Sequence, residues 1–174
     1  MSYMVMKNKL LAVSLKYGII GGMVSVLFFL ILYALDQNPL VSVKVLDIFL
    51  LAIFIFFSIK EFRDGYNTRG LHYWQGMSVG VLTYLGIAMV SAFFILLMTT
   101  LVDPELTANY ITTRIDLLDT NKQSLIETID SNTYQEAVAG VKGTSGLDLA
   151  LDDYLKKSII GLFLTIIIAV VLRK

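Results

Sequence analysis

Leu71–Val102 reads LHYWQGMSVGVLTYLGIAMVSAFFILLMTTLV, a polar aromatic lead-in running straight into an apolar stretch that holds no charged residue. At about 1.5 Å of rise per residue, roughly 20 apolar residues cross a hydrocarbon core of about 30 Å. Residues 76–102 therefore predict a membrane-spanning helix, long enough to tilt or to project at its far end. In lipid every backbone N–H and C=O must be satisfied internally, so this stretch commits the chain to helices.

Upstream, Tyr17 to Leu35 is a second uncharged run of sufficient length, preceded by Lys7, Lys9 and Lys16 among apolar residues that suit the headgroup layer. This opening imitates a signal peptide, but it leads into LYALDQNP without a small-residue cleavage site and reads as a retained helix. Asp36-Gln37-Asn38-Pro39 is a turn by composition. Residues 41–59 form a shorter apolar run, and Lys60 to Gly70 a polar connector whose glycines suit helix termination.

Downstream, Asp103-Pro104-Glu105 carries the chemistry of a helix start. Leu106, Tyr110, Ile111, Ile115 and Leu118, then Leu125, Ile126 and Ile129, recur near a 3.6 period and predict two amphipathic helices. Thr133-x-x-Glu136 reads as the capping box of a third, brief turn ending near Gly140, and Gly143-Thr144-Ser145-Gly146 as a flexible break. Residues 157–172 form the last apolar run. The expected fold is all-α: one polytopic membrane domain over 1–174, four transmembrane helices (about 17–35, 41–59, 76–102 and 157–172) as two hairpins, and a helical extracytoplasmic loop at 103–156.

Composition agrees. The chain has 174 residues, is 56% hydrophobic and only 16% charged, against about a quarter charged in soluble domains; mean hydropathy is +0.73. Its zero formal charge and lack of a basic run give nucleic-acid binding no electrostatic source. With no cysteine and one histidine, His72, thiolate metal sites, thiol nucleophiles and multi-histidine clusters are excluded. No metal and no cofactor is expected.

Orientation follows the distribution of lysine and arginine. Lys7, Lys9, Lys16, Lys60, Arg63, Arg69, Arg173 and Lys174 fall on one side; Lys44, Arg114, Lys122, Lys142, Lys156 and Lys157 fall on the other, spread over more residues. Both termini are thus expected in the cytoplasm of a bacterial inner membrane, with the 103–156 loop periplasmic. Met23-Val24-Ser25-Val26-Leu27-Phe28-Phe29 resembles Met89-Val90-Ser91-Ala92-Phe93-Phe94, and each is followed by an Asp and a Pro. Parallel duplication of a hairpin and chance likeness of apolar segments explain this equally well.

Three sets of residues are candidates for a role. Gly18, Gly22 and Ser25, then Gly76 and Gly80, then Gly161, Thr165 and Ala169 place small residues on one face of three spans, where helices approach closely. Packing within the chain is preferred to dimerisation, and a homo-oligomer stays open. His72, Tyr73, Trp74 and Gln75, with Arg63 and Arg69 nearby, could meet lipid headgroups or a partner, although an aromatic belt alone accounts for Tyr73 and Trp74. Lys44 and Asp47, three apart on one helix face, are expected to form an ion pair at the membrane edge. No charge is expected at mid-span, which counts against ion-coupled transport. The ten acids of the loop, Asp148, Asp152 and Asp153 among them, lack the spacing of a calcium loop and read as a solvated face.

Several short motifs together carry a resemblance: Lys16-Tyr17-Gly18-Ile19-Ile20-Gly21-Gly22, Arg63-Asp64-Gly65, Trp74-Gln75-Gly76 with Gly80, Asp103-Pro104, and Asp153-Tyr154-Leu155-Lys156-Lys157-Ser158-Ile159-Ile160-Gly161 through Arg173-Lys174. On these the chain resembles an uncharacterised four-helix membrane family widespread in Bacteroidota, defined only as a domain of unknown function. The resemblance implies no catalytic residues. It also implies an accessory subunit, because such proteins accompany membrane-associated glycosyltransferases of the polyprenyl-phosphate type. The expected function is therefore a non-enzymatic membrane accessory or scaffold subunit that contacts lipids and binds a protein partner. The alternative is a lipid- or small-solute-binding or transport protein with the 103–156 loop as its lid.

Overall fold

The computed structural model describes residues 3–42, 44–66 and 70–173, with the side chains of residues 3–7, 42, 44–46, 66, 128 and 129 outside that description. Its elements are α1 (Tyr3–Ala34), the short α2 (Pro39–Ser42), α3 (Lys44–Tyr66), α4 (Tyr73–Leu97) with a π-helical turn (Met98–Val102), α5 (Glu105–Thr120), α6 (Lys122–Ile129), α7 (Ser131–Lys142) and α8 (Gly146–Val171). Among the described residues there is no strand. Three segments, Asn8–Ala34, Tyr73–Val102 and Gly146–Val171, are long and apolar enough to cross a membrane.

Local chemistry explains the ends. Asp36 takes φ 54, and the Gln37 amide donates to Leu32 O at 3.1 Å while Asp36 N donates to Tyr33 O. This is a Schellman closure with aspartate in the left-handed place usually held by glycine. At the far end of α4 the chain loosens: Asp103 N reaches Met98 O at 2.8 Å, while Thr99 Oγ1 and Thr100 Oγ1 donate back to Ile95 O and Leu96 O. Hydroxyl back-bonding of this kind bends or widens a helix.

α4 is the axis of the bundle. It runs parallel to α1, as successive contacts show: Ser14 Oγ to Val79 O at 3.2 Å, Gly18 against Gly86, Gly22 against Val90, and Phe29 edge-on to Phe94 at 5.5 Å. It runs antiparallel to α8, where Gly76 meets Ala169, Gly80 meets Thr165 and Gly161 meets Tyr84. α3 is antiparallel to α4 too, joined by Ser58 and Thr83, whose hydroxyls stand 2.7 Å apart. Each helix turns an apolar row outward: Ile19, Met23 and Leu27 on α1, Phe49, Ile53 and Phe57 on α3, Ile159, Phe163 and Ile167 on α8.

Three expectations are corrected. The connector from Lys60 to Tyr66 is helical, because α3 continues through it and Gly65 is tolerated inside the last turns. The brief turn at 133–140 is a 12-residue helix, and its cap is Asp130, whose Oδ1 accepts from Asn132 N at 2.7 Å and Thr133 N at 3.0 Å. The supposed break at 143–146 is a tight α8 start, with Ser145 and Asp148 bonded reciprocally and Gly146 seated on Thr99.

Candidate functional site

The bundle has two halves. In the half nearer the termini, small residues bring the helices together: a Cβ on Gly18 would stand 3.3 Å from Gly86 Cα, and one on Gly161 only 2.5 Å from Tyr84 Cγ. Polar groups there are spent locally. Ser14 Oγ and Thr83 Oγ1 both donate to Val79 O, at 3.2 and 2.8 Å. At the rim, Lys16 Nζ donates to both Glu61 oxygens at 2.7 and 2.6 Å, and Tyr17 Oη to Glu61 Oε2 at 2.7 Å, tying α1 to α3.

In the other half the helices enclose a cavity of about 240 Å³. Phe29 on α1, Leu51 on α3, Phe94 on α4 and Leu149 on α8 supply apolar wall, Pro39 and Leu40 of α2 one edge, and Tyr110 of α5 reaches it from the loop. Arg114 Nε donates to the Tyr110 hydroxyl at 3.2 Å from one turn further along α5, which fixes that ring.

One wall is charged. Lys157, 6% exposed, donates from Nζ to Ser91 Oγ at 2.6 Å, to Asp153 at 2.8 Å and to Asp47 Oδ2 at 2.9 Å. Ser91 Oγ donates in turn to Asp153 Oδ2 at 2.9 Å, and the Ser25 hydroxyl hydrogen-bonds Asp47. Four helices thus contribute to one network: Ser25 from α1, Asp47 from α3, Ser91 from α4, and Asp153 with Lys157 from α8. Asp153 and Lys157 are i and i+4 on one helix face, the spacing that lets a carboxylate and an ammonium meet. Burying a charge is costly unless it is paired and hydrogen-bonded, and here the ammonium is fully paired.

Asp47 pairs with Lys157 of α8; the pair expected between Lys44 and Asp47 lies outside the described residues, because the side chain of Lys44 does. The contacts set Lys157 at the loop end of the last apolar run, with no charge nearer the middle of that run. Lys157 lies 16 residues from Arg173 along α8, about 24 Å of helix, and Ser91 lies 17 residues from Trp74 along α4. The Asp148–Asp153 stretch, read as solvated, divides: Asp152 pairs with Lys156 at the surface, while Asp153 turns inward.

The remaining sequence candidates sit elsewhere. Gly18, Gly22, Gly76, Gly80, Gly161, Thr165 and Ala169 all lie at helix contacts, and Gly86, which the sequence reading passed over, is the partner of Gly18. Ser25 belongs to the charged network instead. His72 and Trp74 are exposed, Tyr73 is edge-on to Trp74 at 5.4 Å, and the Gln75 side chain accepts from His72 N at 3.2 Å. Arg63 pairs with its neighbour Asp64 at 2.7 Å, and Arg69 lies outside the described residues. Among the described residues no three His, Cys, Asp or Glu side chains converge as metal ligands. In the loop, Tyr134 donates to Asp119 at 2.7 Å, which raises the Tyr134 phenol and docks α7 on α5.

Sequence reasoning missed Ser91, Asp153 and Lys157. The available signal was Asp153-x-x-x-Lys157 at the very start of the last apolar run, where a lysine reads as a flanking residue. No curated protein and no solved structure matches the chain. A family model does match residues 16–174, and the chain belongs to that family, a set of proteins of unknown function designated DUF4199.

Proposed function

We propose that this chain is a membrane protein that binds a small amphiphilic solute in the cavity between α1, α3, α4 and α8, without catalysing a reaction on it. The observation that carries the reading is the coincidence of an apolar cavity with one buried ammonium, Lys157, held between two carboxylates in its wall. Ligand sites are mostly apolar with a few placed polar groups, and intramembrane ionisable residues mark solute paths more often than structural convenience. The α5–α7 segment, reaching the cavity through Tyr110, acts as its cover. In this reading α3 is a fourth span, because it packs along α1, α4 and α8 and shows lipid the same kind of outward row, Phe49, Ile53 and Phe57. Both termini lie in the cytoplasm of a bacterial inner membrane and the 103–156 loop in the periplasm, following the lysine and arginine distribution.

The test is native mass spectrometry of the full chain extracted from its own membranes. Wild type is expected to carry a bound small molecule that Val26→Trp, which fills the cavity, releases. An empty wild-type protein, or a ligand indifferent to Val26→Trp, overturns the reading. The sequence has no cysteine, so single cysteines at Asn8 and Gly140 report the topology: Gly140→Cys should label from outside intact spheroplasts and Asn8→Cys should not.

The outward rows on α1 and α8 favour a second reading, an accessory subunit that docks a membrane partner, with a polyprenyl-phosphate glycosyltransferase as the expected one. A partner that co-purifies at fixed stoichiometry would support it, and repeated recovery of the chain alone would end it.

A further inference from the structure

Among the described residues, the charged wall of the cavity holds one more carboxylate than ammonium groups. Asp152 and Lys156 neutralise each other at its rim. That leaves Asp47 and Asp153 against Lys157 alone, with Ser25 and Ser91 as neutral hydrogen-bonding partners. Lys157 has three ammonium protons, and Ser91, Asp153 and Asp47 take them at 2.6 to 2.9 Å. Nothing is left on it for an anion. A carboxylate has about four lone-pair sites, and among the described residues Asp47 meets Lys157 and Ser25, which leaves accepting capacity beside the apolar wall.

Resting on the binding reading above, we infer that the ligand is a compact monocationic amphiphile, an amine whose ammonium group meets Asp47 while its apolar body lies among Phe29, Phe94 and Tyr110. An ammonium there brings the wall to neutrality, in surroundings where charges a few ångströms apart interact several times more strongly than in water. Phe29, Phe94 and Tyr110 line the same cavity and would face the apolar body. An anionic headgroup would have to draw Lys157 away from two carboxylates and add a second uncompensated charge, the arrangement that breaking a buried pair makes costly. A neutral amphiphile gains the wall alone. The volume, about 240 Å³, lies below the usual range of about 300–1,000 Å³ for ligand pockets, which favours one ring or a short chain over a two-chain lipid.

Three probes of one shape decide the matter: 4-phenylbutylamine, 4-phenylbutan-1-ol and 4-phenylbutyrate, titrated into the full chain in zwitterionic nanodiscs, with empty nanodiscs subtracted. The amine is expected to bind at least about tenfold more tightly than the alcohol, and the carboxylate more weakly than either. Asp47→Asn should bring the amine to the level of the alcohol and leave the alcohol unchanged. Asp153→Asn removes the same charge from a different helix and should act in the same direction, which separates lost charge from a local folding defect at Asp47. Equal binding of the three probes, or a preference for the carboxylate, overturns the cation assignment while leaving a binding cavity in place. If none of the three binds, the cation proposal falls, and the extraction experiment decides the binding reading separately.

Discussion

The two halves of this bundle place polar groups in the same apolar surroundings and treat them in opposite ways. Near the termini, glycines bring α4 against α1 and α8, and the hydroxyls of Ser14, Ser58 and Thr83 satisfy one another or the Val79 carbonyl without a charge. Near the loop, the same helices separate around a cavity, and the polar content is a lysine between two aspartates. Close packing is self-sufficient: it needs nothing from outside and leaves no room for it. The ionic half holds a lysine between two aspartates and more space than its side chains fill. Under the proposed binding reading, that contrast puts the ligand in the loop half and the close-packed frame in the other, a division of the kind that preorganised sites require.

The largest effect that would break this comparison is expected at Lys157. Lys157→Met keeps most of the side chain's apolar length but leaves the part-buried Asp47 and Asp153 without the Lys157 counter-charge. Removing one partner of a buried pair costs about 3–5 kcal/mol, read here as a loss of unfolding free energy in mixed micelles. The triple variant Lys157→Met, Asp47→Asn, Asp153→Asn should recover most of the loss, since the neutralised groups no longer repel. A triple variant as unstable as the single one would show that the network matters through packing.

Next in size is steric strain in the closed half. A Cβ at Gly161 meets the Tyr84 ring at 2.5 Å, so Gly161→Val should cost about 1–3 kcal/mol by overpacking. Val26→Leu, on the cavity wall, should stay within about 0.5 kcal/mol, because the added methylene has empty space to enter. If the two changes cost the same, the halves do not differ in packing. Smaller again is the Ser58–Thr83 contact. A double-mutant cycle with Ser58→Ala and Thr83→Val is expected to return about 0.6 kcal/mol of coupling, the average for hydroxyl bonds between membrane helices.

The closed half was the more legible in the sequence, and the reason is physical. Close helix contact demands small residues, and small residues at i and i+4, as at Gly18 and Gly22 or Gly76 and Gly80, are visible in one chain of letters. Gly86 escaped because its partner at Gly18 is 68 positions away and it stands outside any such pair within α4. The ionic half was illegible for a related reason. Asp47, Ser91 and Lys157 come from three helices; Asp47 and Lys157 each sit near the end of an apolar run, where a charge is ordinarily a headgroup contact, and Ser91 is an ordinary hydroxyl within one. Only α8's continuous course from Gly146, packed antiparallel on α4, carries Lys157 inward to Ser91. The loop helices were predicted at α5 and α6 from periodicity, whereas α7 was undervalued because Asp130 caps it from a left-handed conformation, φ 62, that a search for Thr133-x-x-Glu136 does not detect.

The smallest effect concerns whether the proposed cover, the α5–α7 segment, is held independently of the bundle beneath it. The Asp130 carboxylate accepts from the Thr133 and Asn132 amides, and these bonds hold its carboxyl below the ordinary carboxylate range. A lowered folded-state pKa means that the cap stabilises α7 fully above the unfolded value of about 3.9. That contribution is lost as pH falls through the lower folded value. Hydrogen exchange should therefore quicken at the amides of residues 131–134 between pH 5 and pH 2.5, after correction for intrinsic rates, while residues 79–91 of α4 stay protected. Asp130→Asn, which retains a capping oxygen but no titration, should flatten that pH dependence. If the α4 amides open together with α7, cover and bundle form one cooperative unit, and Tyr110 cannot move from the cavity without opening the helices that form its walls.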